Sequence, residues 1–332
     1  MTRPKLTTRF ARGLGLILLV LQAIATTESA AEAQDFPNHP IRIVVPAAPG
    51  GALDTISRLL AHKVSELSNQ QIYIENKPGA NWTIGMDAVA KAAPDGYTLL
   101  FVASSGLTIV PLVYPNIPLD PLKDLAPVTI ATSTPFVLLV NPNLPAKSVA
   151  EFVAYSRAIP GKLNHGSNST TTILVSELFK TQAKIDYVDV NFRGASEAIV
   201  ATQAGTTQFC FVDLGTGTSA IAGKTLRPLA LTALERYPLA PDIPTFAEAG
   251  LPGMSVLSLT LIAAPANIPR EIMNTLRSKF QQALEAPDVQ AKLRGMGQVI
   301  TVGQTDDFTK ILVAESEQWK KLIKERNIHF GN

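Results

Sequence analysis

The sequence predicts an α/β fold in two domains, and three observations predict it. Short β-branched runs alternate with segments of helical hydrophobic spacing along most of the chain. The stretches between them are rich in Pro, Gly and Asn, the residues that end buried strands and start turns. A chain of 332 residues at 46% hydrophobic composition also exceeds what one comfortable core holds.

The first 33 residues stand apart. Arg3, Lys5, Arg9 and Arg12 precede an apolar run at 14–25 broken only by Gly15 and Gln22, and "AEA" at 31–33 offers small residues for cleavage. This is the pattern of a secretory signal peptide cut after Ala33, and its apolar run is shorter than the roughly 20 residues of a membrane span. A soluble, exported mature chain is expected.

The elements then follow in order. "IRIVV" at 41–45 reads as a buried strand, and residues 55–67 carry Ile56, Leu59, Leu60, Val64 and Leu67 at helical spacing. "QIYIEN" is a second strand. The helix in "TIGMDAVAKAA" stops at Pro94, Asp95-Gly96 turns the chain, and a third strand runs over 97–103. Strand, helix, strand, helix implies a mainly parallel sheet covered on both faces. The same grammar returns with the strand "PFVLLVNP" and a helix over 148–158, where Ser148 and Glu151 have the spacing of a reciprocal capping box. "KLNHGS" supplies a short strand ahead of a polar loop and another helix. "IDYVDVNF", a helix over 196–204, "TTQFCFVDL" and "LRPLALTA" complete the second unit. "MSVLSLTLIAAP" is a late strand, followed by helices over 269–286, 287–295 and 306–323, with Pro269 and Pro287 suited to first-turn positions. The last helix puts Phe308, Ile311, Leu312, Trp319, Leu322 and Ile323 on one stripe, a core pattern that gives Trp319 no ligand role.

Charge and composition narrow the function. Removing the leader's four basic residues and two acidic ones (Glu28, Glu32) from 29 and 27 leaves 25 of each. A neutral chain without a clustered Lys/Arg stripe argues against nucleic acid and for a small partner. Cys210, the single cysteine, sits in an apolar run and reads as a buried structural thiol, so no internal disulfide forms. His39, His62, His165 and His329 are scattered, no His/Cys pair has metal-ligand spacing, and no metal or cofactor is expected.

The stretch "VVPAAPGGALDTISRLL" ends a strand, turns on Pro49, Gly50 and Gly51, and starts a helix at once. Amides at a helix start lack intrahelical partners and carry partial positive charge, so such a turn makes an anion site. Asp54 falls in the first helical turn, where it accepts amide hydrogens and fixes the loop. Three more polar loops follow strands: "ASSG" at 103–106, "GSNSTTT" at 166–172 and "DLGTGTS" at 213–219. The ends of strands are where α/β sheets place ligands. Enzyme readings compete weakly. "GTGTSA" matches a dinucleotide fingerprint with Glu235 about twenty positions on, no Gly-x-Ser-x-Gly elbow exists, and His165 beside Ser167 lacks an assigned acid partner. The sequons at Asn81 and Asn168 match by chance.

Beyond these residues, the chain resembles a family. "PIRIVVPAAPGGALD", "IENKPGA", "AVAKAAPDGYTLL", "LVYPNIPLDPLKDLAPVT", "GKLNHGS", "LRPLALTA", "PDIPTFAEAGLPG" and "EQWKKLIKERNI" stand in one order over residues 36–328. They resemble the Bug-type periplasmic solute-binding proteins, receptors of tripartite tricarboxylate transporters. The resemblance implies a two-domain periplasmic-binding-protein fold, type II-like, with a ligand cleft between lobes: 34–132 with 258–332 as domain 1, and 133–257 as domain 2. It implies a periplasmic, monomeric receptor with no catalytic activity and no cofactor, which takes a small carboxylate to large and small polytopic membrane subunits. A secreted hydrolase, a dinucleotide-dependent enzyme or a sensor for a signalling system is the alternative.

Carried over residue by residue, the resemblance assigns ligand contacts to Pro49, Gly50, Gly51, Ala52 and Asp54, to Ser104 and Ser105, to Ser167, Asn168, Ser169 and Thr170, and to Asp213. Departures cluster at the same pocket: Ala47 stands where the family has an aromatic, Asn81-Trp82 where it has Gly-Gly, Ile173 near a common histidine, and Leu259 or Thr260 at another aromatic position. Ala47 and Leu259 would open volume that Trp82 refills, favouring a different acid, aromatic included, over simple dicarboxylates. Alternatively, Trp82 lies on the rim and packs against its own loop. Lobes joined by crossing strands near 129–134 and 255–261 would close over the anion. No arginine stands out in the ligand loops, so main-chain dipoles would neutralise the anion, and Arg193 in "NFRGAS" reads as a solvated or interface residue.

Overall fold

A computed structural model describes the backbone of residues 36–114, 116–300 and 305–330, and their side chains except at 305–307. The leader and its cleavage after Ala33 lie outside the described residues. From His39 onward the chain forms one compact unit.

In chain order the elements are β1 (Ile41–Val45), α1 (Ala52–Ser68), β2 (Ile72–Asn76), a single 3-10 turn (Ala80–Trp82) leading into α2 (Thr83–Ala90), and β3 (Thr98–Ala103). Three short helices follow: α3 (Ser104–Thr108), α4 (Val110–Val113) and α5 (Pro121–Asp124). Next come β4 (Leu125–Val140), α6 (Val149–Ala158), β5 (Asn164–Ser167), α7 (Thr170–Ala183), β6 (Val188–Asn191), α8 (Ala195–Ala204), β7 (Phe209–Asp213), α9 (Leu214–Ala222) and β8 (Arg227–Leu231). The chain ends with β9 (Leu257–Pro265), α10 (Arg270–Glu285), α11 (Pro287–Gly295), β10 (Val299–Ile300) and α12 (Thr305–Arg326).

The strands run β2-β1-β3-β9-β4-β7-β5-β6, with β8 and β10 also pairing β4. The sheet is mixed, which corrects the expectation of a mainly parallel one. Parallel pairing is confined to β1 with β2 and β3 and to β5 with β6 and β7. Every pair that involves β4 or β9 is antiparallel, because these two long strands run against the βαβ direction of their neighbours. β4 pairs β9 from Leu125 to Pro135, then β7 and β8 from Phe136 to Val140. One strand thus belongs to both halves of the sheet. Pro127 sits at its first register shift, where a residue with no amide hydrogen is tolerated.

Each half has its own apolar cluster. Val44, Leu100, Val102 and Leu261 pack together in the first, and Phe152, Phe179, Phe209, Phe211 and Phe246 in the second, with the Phe152 and Phe209 rings edge-on at 4.9 Å. The stripe on α12 serves both: Phe308 and Leu312 join the first cluster, Trp319 and Leu322 the second. Ile311, expected on that stripe, is exposed. Cys210 is buried and its thiol is pushed up to about 12 by loss of water, as an inert core residue should be.

Two caps differ from expectation. Ser148 Oγ accepts the Glu151 amide at 3.2 Å, but the Glu151 carboxylate accepts the amide of Lys147, at 2.7 Å, instead of that of Ser148. Pro269 is the N-cap of α10, outside its first turn, whereas Pro287 does occupy the first turn of α11.

Candidate functional site

The glycine turn after β1 is built around Asp54. Gly50, at φ +86°, donates its amide to Asp54 Oδ2 at 2.9 Å, Arg58 Nε reaches both carboxylate oxygens at 3.0 Å, and Asn76 Nδ2 donates to Oδ1 at 2.9 Å. Asn76 also ties the Ala47 carbonyl at 3.0 Å. The Arg58 hydrogen bond, helped by Gly50 and Asn76 and opposed by burial, holds the carboxyl at about 2. Asp54 therefore fixes the loop, as expected, and consumes the Gly50 amide that the anion-site reading had offered to a ligand. Asp54→Asn is expected to lower stability by about 1.5 to 2 kcal/mol at pH 7 in urea denaturation, the scale of hydrogen bonds to a charged group. Because the folded carboxyl titrates below its ordinary value of 3.8, the advantage over Asn is complete above that value and disappears as pH falls through about 2.

A cavity of ≈ 500 Å³ opens between the two halves of the sheet. Asn81, Trp82 and Ser105 line it from the β1–β3 half, with Ile109, Val110 and Tyr114 beside them. Asn168, Ser169, Thr170, Thr171 and Arg193 line it from the β5–β6 half. Of the residues expected in the site, Trp82, Ser105, Asn168, Ser169 and Thr170 thus come together.

The others do not line this cavity, and most have a structural occupation. Ala47 is half-buried under Asn76, while Pro49, Gly50, Gly51 and Ala52 are exposed around Asp54. Ser104 is buried and its hydroxyl is 3.4 Å from Glu315 Oε1. Ser167, also buried, points its hydroxyl at the Val190 carbonyl at 3.3 Å. Asp213 caps α9, accepting from the Thr216 amide at 3.0 Å and hydroxyl at 2.7 Å. Leu259 is buried in the first apolar cluster, so it fills space where it was expected to open it.

On the β5–β6 wall, Ser169 and Thr172 form a reciprocal capping box at the start of α7, and the Asn168 amide joins it through Thr172 Oγ1 at 3.0 Å. The first amides of that helix, at Thr170 and Thr171, have no intrahelical acceptor by geometry. On the facing wall Ala80, Asn81 and Trp82 have φ of 43°, 51° and 74°, three successive residues in the left-handed region. Each costs on the order of 1 to 3 kcal/mol, strain that persists where neighbours over-determine it. Here the indole lies on Gly106: a Cβ there would come within 3.1 Å of Trp82 Cε3. Trp82 thus both lines the cavity and packs against the first apolar cluster.

Arg193 is the main residue that sequence reasoning misplaced. Read as solvated or interfacial, it lines the cavity. Its amide donates to Glu197 Oε2 at 3.2 Å, while its exposed guanidinium has no hydrogen bond or ion pair among the described residues. Its signal was available, since it lies just after β6 as the other ligand loops lie after their strands. Ile109, Val110 and Tyr114 were also missed, while Asn81 was noted as a departure beside Trp82 and Thr171 only within the polar loop 166–172.

Both enzyme readings are absorbed by packing. His165 does have an acid partner, Asp189, with Nδ1 and Oδ1 2.6 Å apart, which corrects the sequence reading. Its Nε2 accepts the Phe211 amide at 3.2 Å and the ring is fully buried, so no nitrogen is left for a substrate. In "GTGTSA", a Cβ on Gly215 would collide with the Met296 carbonyl, and one on Gly217 would meet Val137 and Val212 at 3.2 Å. Those glycines allow close main-chain approach and sheet packing, and neither is left to cradle a pyrophosphate.

The family model for the tripartite tricarboxylate transporter family receptor, TctC, matches residues 56–328. A UPF0065 protein in the tcbD–tcbE intergenic region of Pseudomonas sp. (strain P51) is 35% identical over 313 residues, which cover 92% of this chain and 93% of that protein. Among solved structures, an R. palustris protein with adipate shares 31% identity at a TM-score of 0.76, covering 89% of this chain and 99% of its own. MatC from Rhodopseudomonas palustris, with bound malate, shares 29% identity at a TM-score of 0.72, covering 87% of this chain and 100% of its own. The α/β periplasmic-binding-protein fold read from the motifs is therefore the fold observed. With these matches spanning nearly the whole described structure, the chain belongs to the tripartite tricarboxylate transporter receptor family, a family of solute-binding receptors.

Proposed function

We propose that the protein is a periplasmic receptor that captures a small carboxylate in the cavity between Trp82 and Arg193 and delivers it to the polytopic subunits of a membrane transporter. The observation that carries this reading is the lining itself: one unpaired arginine and a helix start on one wall, in a chain whose ligand-bound relatives are described with adipate and malate. A cavity of ≈ 500 Å³ suits a small organic acid. Two charge-assisted hydrogen bonds at roughly 1.5 to 3 kcal/mol each, with some apolar burial, support micromolar affinity after ordering costs. Residues 34–132 with 258–332 and residues 133–257 act as lobes, and β4 and β9, which cross between them, take up the closing motion. Closure over the anion is the signal read by the membrane partner, because only a ligand that contacts both walls favours the closed state.

The test is a thermal-shift screen of mono-, di- and tricarboxylates, followed by mass analysis of the recovered ligand. An acid that raises Tm and is recovered unchanged supports the reading. A chemically altered acid, or no shift with any of the acids, overturns it.

A further inference from the structure

The two walls of the cavity differ in chemistry. One carries Thr170, Thr171 and the guanidinium of Arg193; the other carries Trp82, Tyr114, Ile109 and Val110, with Asn81 and Ser105 as neutral polar groups. Resting on the receptor reading, we propose that the cavity selects acids with a single carboxylate and a flat apolar body, with the carboxylate at Arg193 and the first amides of α7 and the ring against Trp82.

Three observations carry this. Arg193 is the one charged residue in the lining, so the cavity offers formal neutralisation to one anionic group. On the β1–β3 half the cavity lining holds no cation for a second carboxylate: it supplies only the neutral Asn81, Ser105 and Tyr114, while the Gly50 amide is taken by Asp54 at 2.9 Å and Arg58 by Asp54 at 3.0 Å and Asn76 at 2.9 Å. A dicarboxylate bound at Arg193 would therefore set its far end against a largely apolar wall that has neutral polar groups but no cation. A carboxylate stripped of water without a cation is strongly disfavoured there. The third observation is the strain at Ala80–Trp82, where three left-handed residues hold the indole at the cavity in a conformation that glycine would adopt freely. Strain of this kind collects at ligand clamps. A flat ring stacking on an indole gains more than an alkyl chain of the same length, because offset and edge-on ring pairs add to area burial.

The experiment measures the affinities of benzoate, phenylacetate, 4-hydroxybenzoate, adipate and malate for the wild-type protein by isothermal titration calorimetry, then repeats them with Arg193→Gln, Trp82→Ala and Trp82→Phe. The expected result is that at least one aromatic monocarboxylate binds ten-fold or more tightly than adipate and malate. Arg193→Gln should weaken it ten-fold or more, and Trp82→Phe should retain most of the binding that Trp82→Ala loses. Tighter binding of adipate or malate overturns the inference and leaves the receptor reading intact. Absence of binding by all five acids overturns the inference; if the wider acid screen is also silent, the receptor reading falls with it. Unchanged aromatic binding in Arg193→Gln, whose exposed side chain makes it tolerant to folding, also overturns the assigned orientation.

Discussion

Asp189→Ala is expected to cost about 2 to 3 kcal/mol of unfolding free energy at pH 7, the upper range for hydrogen bonds to a charged group, because Asp189 is partly buried and accepts from three side chains. Asp189 Oδ1 accepts from His165 Nδ1 at 2.6 Å and from Ser176 Oγ at 3.0 Å, and its Oδ2 faces Lys180 Nζ at 2.8 Å. Lys180 also reaches Glu177 at 2.7 Å, and Glu177 pairs with Arg326 at 3.0 Å. Burial alone would push Asp189 up, but the hydrogen bonds from His165 and Lys180 hold it below the usual carboxylate range. Burial pushes His165 down despite Asp189, and because its Nε2 accepts the Phe211 amide, the ring is neutral with its proton on Nδ1. Lys180 is then the cation that matches Asp189, kept protonated by its two carboxylates against its own burial. Truncating Asp189 leaves the buried imidazole without its acceptor and Lys180 with Glu177 as its remaining carboxylate. Urea denaturation checks the size, and the double variant Asp189→Ala/Lys180→Met should lose less than the sum of its parts. A loss under about 1 kcal/mol for the single variant would show the network to be solvated. The network also sets a pH direction. With its folded pKa depressed below the ordinary 6.5, His165 contributes stability that is present above that value and is lost as pH falls below it.

What could be read locally was read well, and what depends on distant partners was not. β1 matches its expected bounds because a β-branched run ends at Pro46, and α11 because Pro287 opens it and Gly295 closes it. β4 was expected as two pieces, a crossing strand near 129–134 and the apolar "PFVLLVNP", and it is one strand over Leu125–Val140. Its first half contains Thr129, Thr132, Ser133 and Thr134, whose polar side chains hide the strand's start until Thr132 Oγ1 meets Thr260 Oγ1 at 2.7 Å and Gln298 Oε1 at 2.8 Å. Hydrogen bonds to residues so far along the chain leave no periodicity to detect. The site shows the same division. Asn168, Ser169 and Thr170 were legible because a polar run between a strand and a helix is a local signature, and Trp82 because it broke the family pattern. The turn at Pro49–Gly51 was legible as a helix start, but whether its amide was free depended on Asp54. Arg193 was discounted although its place just after a strand was a local sign of a ligand loop, because that sign does not tell which wall a lone arginine will face.

The second large effect is expected at Glu315, on α12 beneath the start of α3. Its Oε1 accepts from Trp319 Nε1 at 3.3 Å and Ser104 Oγ at 3.4 Å, while its buried Oε2 has no hydrogen-bond partner among the described residues. Burial pushes the carboxyl up to about 7, against the lowering effects of Trp319, Ser104 and Thr108. Between the ordinary value of 4.5 and about 7, the folded protein holds a proton that the unfolded chain has released. Stability conferred by this group is therefore complete below about 4.5 and declines as pH rises through about 7. Glu315→Gln keeps the shape and removes the charge. It should leave stability near pH 5 almost unchanged and raise it by about 2 to 3 kcal/mol at pH 8, following about 1.4 kcal/mol per pH unit of displacement. The chain has two tryptophans, so Trp82→Phe leaves Trp319 as the sole indole reporter. Its emission should titrate with a midpoint near 7 and cease to do so when Glu315→Gln is added. Equal stability of wild type and Glu315→Gln at pH 8, with a flat Trp319 signal, would mean that water reaches the carboxylate. Because Ser104 is bonded to Glu315 and Ser105 lines the cavity, the same titration also reports on the support beneath one wall of the ligand site.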